Sequence, residues 1–408
     1  MKVGVLGAGV VGLTTAWWLV EAGHDVVLID RAAGPAAGAS GANGAQLSYR
    51  FVAPMASPKM LGQLPGLFLP GENAMKVSLD AELVAWGLRF LKACTNAEVA
   101  RTTAAQLALA ELSRLELERL LGTVPLDFGR RTAGKLVIYR KAVDFAAATP
   151  GEGEAAELLG PDECRALEPG LVLKNNEFAG GLYTPSEQVG DCAAFCRQLF
   201  AKLKESNRVE VRMNTAIGRP VVEHQRMTGV ETDQGVIEAD LFVLSLGSGA
   251  RAFAKSCGFN LPIYPVKGHS ITVADDGAPA LKHSVTDYSR KIVYAPLPGA
   301  TRIAGLADFQ GYDTTPVSLR IAKLKSAAAD TFGIAAHGDV EPWAGLRPMT
   351  PDSRAVIGPS PLDGLFLNTG QGMLGWTLAC GSARLATDLI DGKPPSCPAA
   401  PFAVRRFT

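Results

Sequence analysis

The hydrophobic pattern at the start of the chain predicts a strand, a helix and a second strand. Residues 3–6 form a short apolar run, and the stretch from Val11 to Ala22 has helical character up to Gly23, a favourable C-terminal stop. A second apolar run, residues 26–29, ends at Asp30. Strand, helix and strand in this order are typical of a βαβ unit.

The turn between the first strand and the helix predicts nucleotide binding. Gly7, Gly9 and Gly12 have G-x-G-x-x-G spacing, which permits a tight turn, a close approach of backbone N–H groups to a pyrophosphate, and close helix packing. The positive end of the helix favours the phosphates, and Asp30 is placed to accept hydrogen bonds from a ribose diol. The predicted contacts of this unit also include Val10, Val11 and Arg31.

The loop that follows favours FAD over NAD. Instead of further alternating strands and helices, the chain continues with the small-residue stretch AAGPAAGASGANGAQLS. Such a loop can lie flat against an extended dinucleotide and its ring, whereas the alternative is a flexible linker. The predicted cofactor contacts here are Ser40, Asn43, Gly44, Ala45, Gln46 and Leu47.

The C-terminal region carries a second glycine turn. A strand at residues 365–367 precedes the turn, and a helix is predicted from Trp376 to Ile390. Backbone N–H groups at this helix start favour negative charge on a reduced ring. We therefore expect both ends of the chain to meet around one long cofactor, with contacts from Gly345, Gly370, Gly372, Met373, Leu374, Gly375, Trp376 and Thr377.

The middle of the chain predicts further elements of an α/β fold. A helix capped by Asp191 is followed by a strand that starts at Val209 and is expected to run to Ile217, and a hairpin turn is expected at residues 233–235. Residues 239–250 predict a buried strand with a glycine turn at Gly247.

A long amphipathic helix is predicted from Glu98 to Leu121. Its leucines at positions 109, 112, 115 and 120 are expected in the core. The predicted FAD-binding domain comprises residues 1–55, 183–250 and 335–408, and the predicted substrate domain comprises residues 56–182 and 251–334. The two domains are therefore interleaved in sequence.

Composition narrows the function classes. The 408 residues include 40 acidic and 40 basic side chains, and this balance argues against a general nucleic-acid surface. Seven scattered cysteines without CxxC spacing and five histidines make a zinc site improbable, and they indicate reduced thiols in the cytoplasm. The apolar segment Met60–Gly71 is expected to be a loop packed on the core, with a patch for a membrane or partner as the alternative.

Together, these motifs with IYPVKGHS (263–270), WAGLRPMTPD (343–352) and NTGQGMLGWTLACGS (368–382) resemble the FAD-dependent D-amino acid dehydrogenases of the glycine oxidase, sarcosine oxidase and D-amino acid oxidase superfamily. The resemblance implies a Rossmann-like FAD-binding domain interleaved with an α+β substrate domain, non-covalent FAD, and backbone contact of Ile217 and Gly247 with the cofactor. It further implies oxidation of a D-amino acid to an imine that hydrolyses to a 2-oxo acid and ammonia. Electrons would pass to a quinone or other carrier, and peripheral attachment to the inner face of the membrane or a partner subunit stays open.

The same resemblance places a carboxylate-binding arginine at Arg347, with a salt bridge to Asp352 as the structural alternative. Arg290 stands where close relatives carry tyrosine; it is a second candidate for the carboxylate, with a surface charge as the equal alternative. Tyr49, Tyr264 and His269 are candidates for the pocket, with a core position for Tyr264 and a structural role for His269 as the alternatives. Gln371 replaces a common histidine in the turn beneath the flavin.

Differences from the family pattern, such as Arg290 and Gln371, leave the substrate open. It could be a D-alanine-like amino acid or a cyclic one such as D-proline or cis-4-hydroxy-D-proline. A glycine- or sarcosine-type amine oxidase that uses oxygen is the alternative within the superfamily. An NAD-dependent dehydrogenase and a non-catalytic flavin subunit are the alternatives from other classes.

Overall fold

The computed structural model describes residues 1–67, 75–150, 155–275, 280–334 and 340–407, and the side chains of 63–67 are not described. The start of the apolar segment that was predicted as a loop forms a helix, Pro58–Leu67. Proline is favourable in the first turn of a helix because the N–H group of that position has no partner within the helix. The end of the predicted segment, residues 68–71, lies outside the described residues.

A six-stranded sheet forms the centre of the nucleotide-binding half. Its pairings are parallel except at the edge, where the first two strands are antiparallel. In order across the sheet, the strands are Val356–Pro359, Leu365–Thr369, Leu241–Leu244, Lys2–Leu6, Asp25–Ile29 and Val209–Arg212. The two glycine turns thus follow strands of one sheet, and the first and last parts of the chain meet as expected.

Three helices pack together beside this sheet: Val10–Glu21, Cys192–Glu205 and Gly375–Ile390. The predicted N-cap Asp191 is confirmed, because its carboxylate accepts hydrogen bonds from the N–H groups of Ala193 (2.8 Å) and Ala194 (3.1 Å).

The predicted long helix is present and spans Asn96–Thr123. It packs on the C-terminal helix Gly375–Ile390. Leu109 and Leu120 are fully buried, but Leu115 is 49% exposed, so its assignment to the core was wrong. At about 100° per residue, Leu115 lies roughly 120° around the helix from Leu109, outside the packed face.

A nine-stranded sheet forms the second half. One face carries Leu136, Ile138, Val285 and Tyr294 and packs on the helix Ser318–Phe332. In order, its strands are Pro342–Met349, Tyr264–Ala274, Ala300–Phe309, Ile292–Leu297, Ser284–Asp287, Lys135–Tyr139, Gly180–Thr184 and Glu157–Leu159, with Met75–Val77 paired to Ala300–Phe309.

The strand Pro342–Met349 lies in the range predicted for the FAD-binding domain, but it pairs with Tyr264–Ala274 of the nine-stranded sheet. The predicted boundary at residue 335 therefore precedes a strand that belongs to the other half. The C-terminal range 335–408 therefore belongs to both halves. After Pro342–Met349 in the nine-stranded sheet, the next strand, Val356–Pro359, is the edge strand of the six-stranded sheet.

Smaller elements complete the described chain. The strand from Val209 ends at Arg212 rather than Ile217, because Asn214 has φ +52°, and Ile217 begins a separate antiparallel sheet. The predicted hairpin turn is confirmed, since Thr232 pairs with Gly235. The other strands are Ile217–Glu223, Arg226–Thr232, Gly235–Glu238, Gln46–Leu47 and Gln188–Val189; the other helices are Ala81–Ala93, Ala142–Ala146, Pro161–Leu167 and Ala250–Ser256, with 3₁₀ turns at Gly247–Gly249, Gly372–Leu374, Ala400–Phe402 and Val404–Phe407.

None of the helices in the described ranges is both long and apolar enough to cross a bilayer.

Close packing at Gly12 provides a direct test of the first turn. A Cβ atom at Gly12 would overlap the carbonyl oxygen of Gly7, whereas a Cβ at Gly87, inside the helix Ala81–Ala93, meets no atom within 4 Å. We expect Gly12→Ala to lower the free energy of unfolding by about 1–3 kcal/mol and to reduce flavin content. Gly87→Ala should raise the free energy of unfolding by about 1 kcal/mol. Chemical denaturation measures the free energy of unfolding of each variant, and the flavin-to-protein absorbance ratio measures its flavin content. Equal stability of the two variants would contradict the packing role of Gly12.

Candidate functional site

A cavity of about 1750 Å³ lies between the two large sheets. It is larger than ordinary small-molecule pockets of about 300–1000 Å³, as an extended dinucleotide together with a substrate requires. Of the sequence-predicted residues, those that line it are Gly7, Gly9, Val10, Val11, Asp30, Arg31, Ser40, Asn43, Gly44, Ala45, Gln46, Ile217, Gly247, His269, Gly345, Arg347, Gly372, Met373, Leu374, Gly375, Trp376 and Thr377.

Three predicted cofactor contacts are not among the described lining residues: Gly12, Leu47 and Gly370. Gly12 lets the helix start touch the backbone of Gly7, which is the packing role expected of the third glycine. Leu47 is 1% exposed within the core cluster of the nucleotide-binding half. Gly370 adopts φ +76° and would place a Cβ 2.9 Å from Thr350, so its role is to form the turn.

The dinucleotide end of the cavity is built from the first turn. Gly7 has φ +109°, and a Cβ there would lie 2.6 Å from the carbonyl oxygen of Ser245. The N–H of Val10, at the helix start, donates to Ser40 Oγ over 3.0 Å. The small-residue loop is therefore held against the helix N-terminus, and together they leave a backbone-lined cradle that fits a pyrophosphate.

Asp30 lies at the end of its strand and lines this cradle. Its Oδ2 accepts from the N–H of Ala8 (2.7 Å) and its Oδ1 from the N–H of Ala32 (2.8 Å). Each carboxylate oxygen keeps a second lone pair, so the group retains acceptor capacity for a ribose diol. The ribose contact stays a prediction.

The small-residue loop crosses the nine-stranded sheet strand by strand. Arg302 Nη1 donates to the carbonyl oxygen of Asn43 (3.0 Å), and a Cβ at Gly44 would lie 3.1 Å from Val293. Gln46 Nε2 then donates to Ser284 Oγ (2.5 Å) on the next strand. The linker alternative is therefore wrong, because the loop is fixed to three successive strands.

We expect the flavin ring where this loop meets the C-terminal helix, and this part of the cavity is called the ring end. The N–H of Ser48 donates to Thr377 Oγ1 over 3.0 Å, and Thr377 stands in the first turn of the helix Gly375–Ile390. Gln371 is 3% exposed and donates to Asn368 Oδ1 (2.8 Å), which orders the turn before that helix. Backbone N–H groups at this helix start are positioned to favour an anionic ring.

Arg347 lies at the same end of the cavity. Its side chain rests on the Cα of Gly268, where no Cβ fits, and Nη1 donates to the carbonyl oxygen of Leu306 over 2.8 Å. Burial lowers its pKa to about 10, so it is cationic at neutral pH. Its described hydrogen bond goes to no carboxylate, although the charge of Asp308, which is itself paired with Arg320, partly opposes the lowering of its pKa. The expected alternative partner Asp352 instead pairs with Arg354 and Arg406.

Arg290 is turned away from the cavity. Nη2 donates to Asp330 over 2.9 Å, and its backbone N–H donates to Asp287 Oδ1. Arg290 is not among the residues that line the described cavity, in contrast to its neighbour Lys291. This placement corrects the expectation that Arg290 assists in binding the carboxylate.

Tyr49 and Tyr264 belong to hydrophobic cores and not to the described cavity wall. Tyr49 is 4% exposed, and burial raises the pKa of its phenol well above the usual range. Tyr264 is fully buried beside Trp86, and its hydroxyl donates to Asp80 Oδ2 over 2.6 Å. The pocket role of both residues is therefore corrected, because each ring is held by packing in a core cluster and Tyr264 also by its hydrogen bond to Asp80.

His269 lines the cavity, but its side chain is buried and does not face the open space. Its side chain is 0% exposed and lies 3.9 Å from Asp308, while Nε2 accepts from the N–H of Val317 over 3.3 Å. Burial lowers its pKa to about 4, and Asp308 only partly opposes this effect. The imidazole is therefore neutral at pH 7 and accepts a hydrogen bond from the backbone at Val317.

Several cavity residues were not identified from the sequence, notably Phe51, Lys59, Lys135, Tyr288 and Lys291. Lys135 opens the buried strand KLVIY, and a lysine at the start of an apolar run is an ambiguous signal, because it is equally compatible with an exposed strand end. Lys291 adopts φ +56° at the hairpin after Asp287, a conformation unusual for lysine that only the structure shows.

A family model for FAD dependent oxidoreductases matches residues 2–389. The chain belongs to this family. Its relatives include "D-amino acid dehydrogenase 2" of Ralstonia nicotianae, 41% identical over 427 residues, which cover 100% of both chains. The D-amino acid dehydrogenase of Paramagnetospirillum magneticum is 38% identical, with 100% of this chain and 99% of the relative covered.

Solved structures of the same fold include the glycine oxidase of Geobacillus kaustophilus, with a TM-score of 0.75 at 20% identity over 99% of this chain and 98% of that one. The L-proline dehydrogenase of P. horikoshii has a TM-score of 0.74 at 18% identity over 100% of this chain and 97% of that one. These likenesses confirm the predicted fold class.

The protein is thus an FAD-dependent oxidoreductase, as predicted, and it requires a small-molecule substrate and an electron acceptor. The NAD alternative is wrong, since the matched family uses FAD. The backbone cradle at Gly7 and Gly9, the ordered loop 40–48 and the glycine turn before Gly375 fit this cofactor. No cluster of three or more His, Cys, Asp or Glu side chains suited to a metal occurs in the described ranges.

The buried neutral His269 predicts acid sensitivity. Because folding lowers its pKa from 6.5 to about 4, the unfolded chain binds the proton more tightly, and stability falls as pH drops from about 6.5 towards 4. The free energy of unfolding of the wild type should fall between pH 7 and pH 4.5. In His269→Gln it should fall less than in the wild type, by up to roughly 3 kcal/mol. Denaturant titrations at each pH measure this difference.

The matched control is His224→Gln, since His224 is exposed in a turn between two strands. It should leave the pH dependence unchanged. An unaltered pH dependence in His269→Gln would show that the imidazole is not held neutral.

Proposed function

We propose that the protein is a D-amino acid dehydrogenase. The observation that carries this proposal is Arg347, a half-buried cation that lines the cavity and whose described hydrogen bond goes to a neutral carbonyl oxygen, while the nearby Asp308 is paired with Arg320. A guanidinium in that state is suited to bind a carboxylate by two parallel, charge-assisted hydrogen bonds. The relatives named D-amino acid dehydrogenase, at 36–41% identity over the full chain, support the substrate class.

Arg347 would orient the substrate by its carboxylate, so that Cα is directed to the cofactor. FAD, when bound, supplies the acceptor for the hydride that leaves Cα. The protein's contribution is positioning and exclusion of water, since no proton relay is needed once the amine is neutral. The imine product adds water to give a 2-oxo acid and ammonia, or stays a cyclic imine if the substrate is proline-like.

Linear and cyclic D-amino acids both remain within the proposal, because Arg290 is paired with Asp330 and adds no selectivity at the carboxylate. A quinone or similar carrier would take the electrons. Anaerobic bleaching of the flavin by D-alanine, D-proline and cis-4-hydroxy-D-proline, each compared with its L-form, tests the substrate. Reoxidation of the bleached protein by a soluble quinone and by air tests the acceptor.

Arg347→Met should weaken substrate binding in the anaerobic reduction about a hundredfold. The loss reflects charge-assisted hydrogen bonds worth about 3 kcal/mol. Arg290→Met, which also removes one guanidinium, should retain the wild-type concentration dependence. Stopped-flow absorbance of the flavin gives the apparent Kd and the limiting rate for both variants.

Unchanged binding in Arg347→Met would sink the assignment of the carboxylate site. Bleaching by L-forms or N-methyl amines alone would instead favour a glycine- or sarcosine-type amine oxidase.

A further inference from the structure

Lys135 places a second buried cation in the cavity. It is the first residue of the strand Lys135–Tyr139, it is 6% exposed, and it lines the cavity together with Ser48. Its Nζ donates to Ser48 Oγ over 3.0 Å and lies 4.2 Å from the centre of the Phe51 ring. An ammonium has three donors, and the hydrogen bonds of the described residues account for one of them.

A buried cation of this kind is costly without an anionic or strongly accepting partner. The electrostatic neighbour that opposes its burial is Glu187, and burial still lowers the lysine pKa to about 8. The protein alone therefore leaves the charge incompletely compensated. A ligand in the cavity that accepts hydrogen bonds would complete it.

The position of Lys135 identifies that ligand as the cofactor ring and not the substrate held by Arg347. The guanidinium of Arg347 lies over Leu306, and three strand-to-strand steps separate that strand from Lys135–Tyr139. At about 4.8 Å per step the separation is about 14 Å, too far for a small amino acid to contact both cations.

Hydrogen bonds connect Lys135 instead to the residues at the ring end of the FAD site. Ser48, which accepts from Lys135, donates through its N–H to Thr377 Oγ1 in the first turn of the C-terminal helix. Gln46, two residues before Ser48, is fixed by Ser284, the residue that pairs with Lys135 across the sheet. One hydrogen-bonded unit thus joins the lysine to the loop and helix start that border the ring.

We infer that Lys135 is a cofactor-binding residue that holds a positive charge against the ring end of the FAD site and raises the electron affinity of the bound flavin. A cation in a poorly hydrated site stabilises the negative charge that a flavin gains on reduction more strongly than it would in water. The inference depends on the FAD site and is independent of which amine is oxidised.

The test compares Lys135→Met with the wild type as FAD-loaded proteins. Methionine keeps the length of the side chain and removes the charge. The readouts are the two-electron potential of the flavin, from equilibration with a redox dye, and the affinity of the oxidised flavin for sulfite, which adds a negative charge to the ring. We expect about tenfold weaker sulfite binding, and a tenfold change in the reduction equilibrium corresponds to about 30 mV.

Two further variants complete the design. Lys267→Met is the matched control, because Lys267 is 1% exposed but pairs with Asp313 (2.8 Å) and is not among the described lining residues. It should keep the wild-type potential and sulfite affinity. Lys135→Arg retains the charge and should stay within about threefold of the wild type. If Lys135→Met fails to fold, Lys135→Gln, which can still donate to Ser48, takes its place.

The inference is overturned if a folded, neutral variant at position 135 shows the wild-type potential and sulfite affinity. It is equally overturned if only the apparent Kd of the amine substrate changes, since that result would assign Lys135 to the substrate. Failure of all D-amino acids to bleach the wild type would refute the proposed function and leave this test intact.

Discussion

The architecture depends on the passage of one short loop, residues 40–48, between two sheets. Its backbone must contact the first helix through Ser40, successive strands of the nine-stranded sheet through Asn43 and Gln46, and the C-terminal helix through Ser48. Small side chains are required because a Cβ atom at Gly44 would lie only 3.1 Å from Val293. The loop thereby fixes the distance between the sheets, and that distance sets the width of the cavity.

Local elements could be predicted because their signals lie within a few residues of each other. The first βαβ unit, the Asp191 cap and the 233–235 hairpin each depend on turn chemistry and short-range periodicity. The pairing of Pro342–Met349 with Tyr264–Ala274 joins segments about 80 residues apart in the chain. Such pairing is decided by tertiary packing, so local patterns in the sequence do not show that this strand joins the nine-stranded sheet. Leu115 shows the same limit within one helix, since hydrophobicity alone does not tell which side of the helix meets a neighbour.

Sequence-predicted residues line the cavity where backbone geometry decides their placement, and several miss it where side-chain direction decides. The glycine positions line the cavity or form its turns whatever the neighbouring side chains do. The orientation of Tyr49, His269 and Arg290 depends on strand register and on distant partners such as Asp330. Lys135 escaped notice for the complementary reason: a single lysine before an apolar run is compatible with an exposed strand end, and only its pairing beside Ser284 shows that it is buried.

Two desolvated cations that line the cavity, Arg347 and Lys135, predict that binding of FAD and substrate stabilises the fold. Arg347 and Lys135 both have pKa values lowered by burial, so each charge costs folding free energy when no ligand is present. An anionic substrate at Arg347 and an electron-rich ring beside Lys135 would remove that cost, and ligand binding stabilises a fold by the same free energy that the site contributes to affinity. The same charges attract electrons and carboxylates, so selection for function would oppose their replacement by more stable apolar residues. The strain in the site is thus electrostatic: Arg347 is held over Leu306 and Gly268, and Lys135 is held by Ser48 of the loop between the sheets.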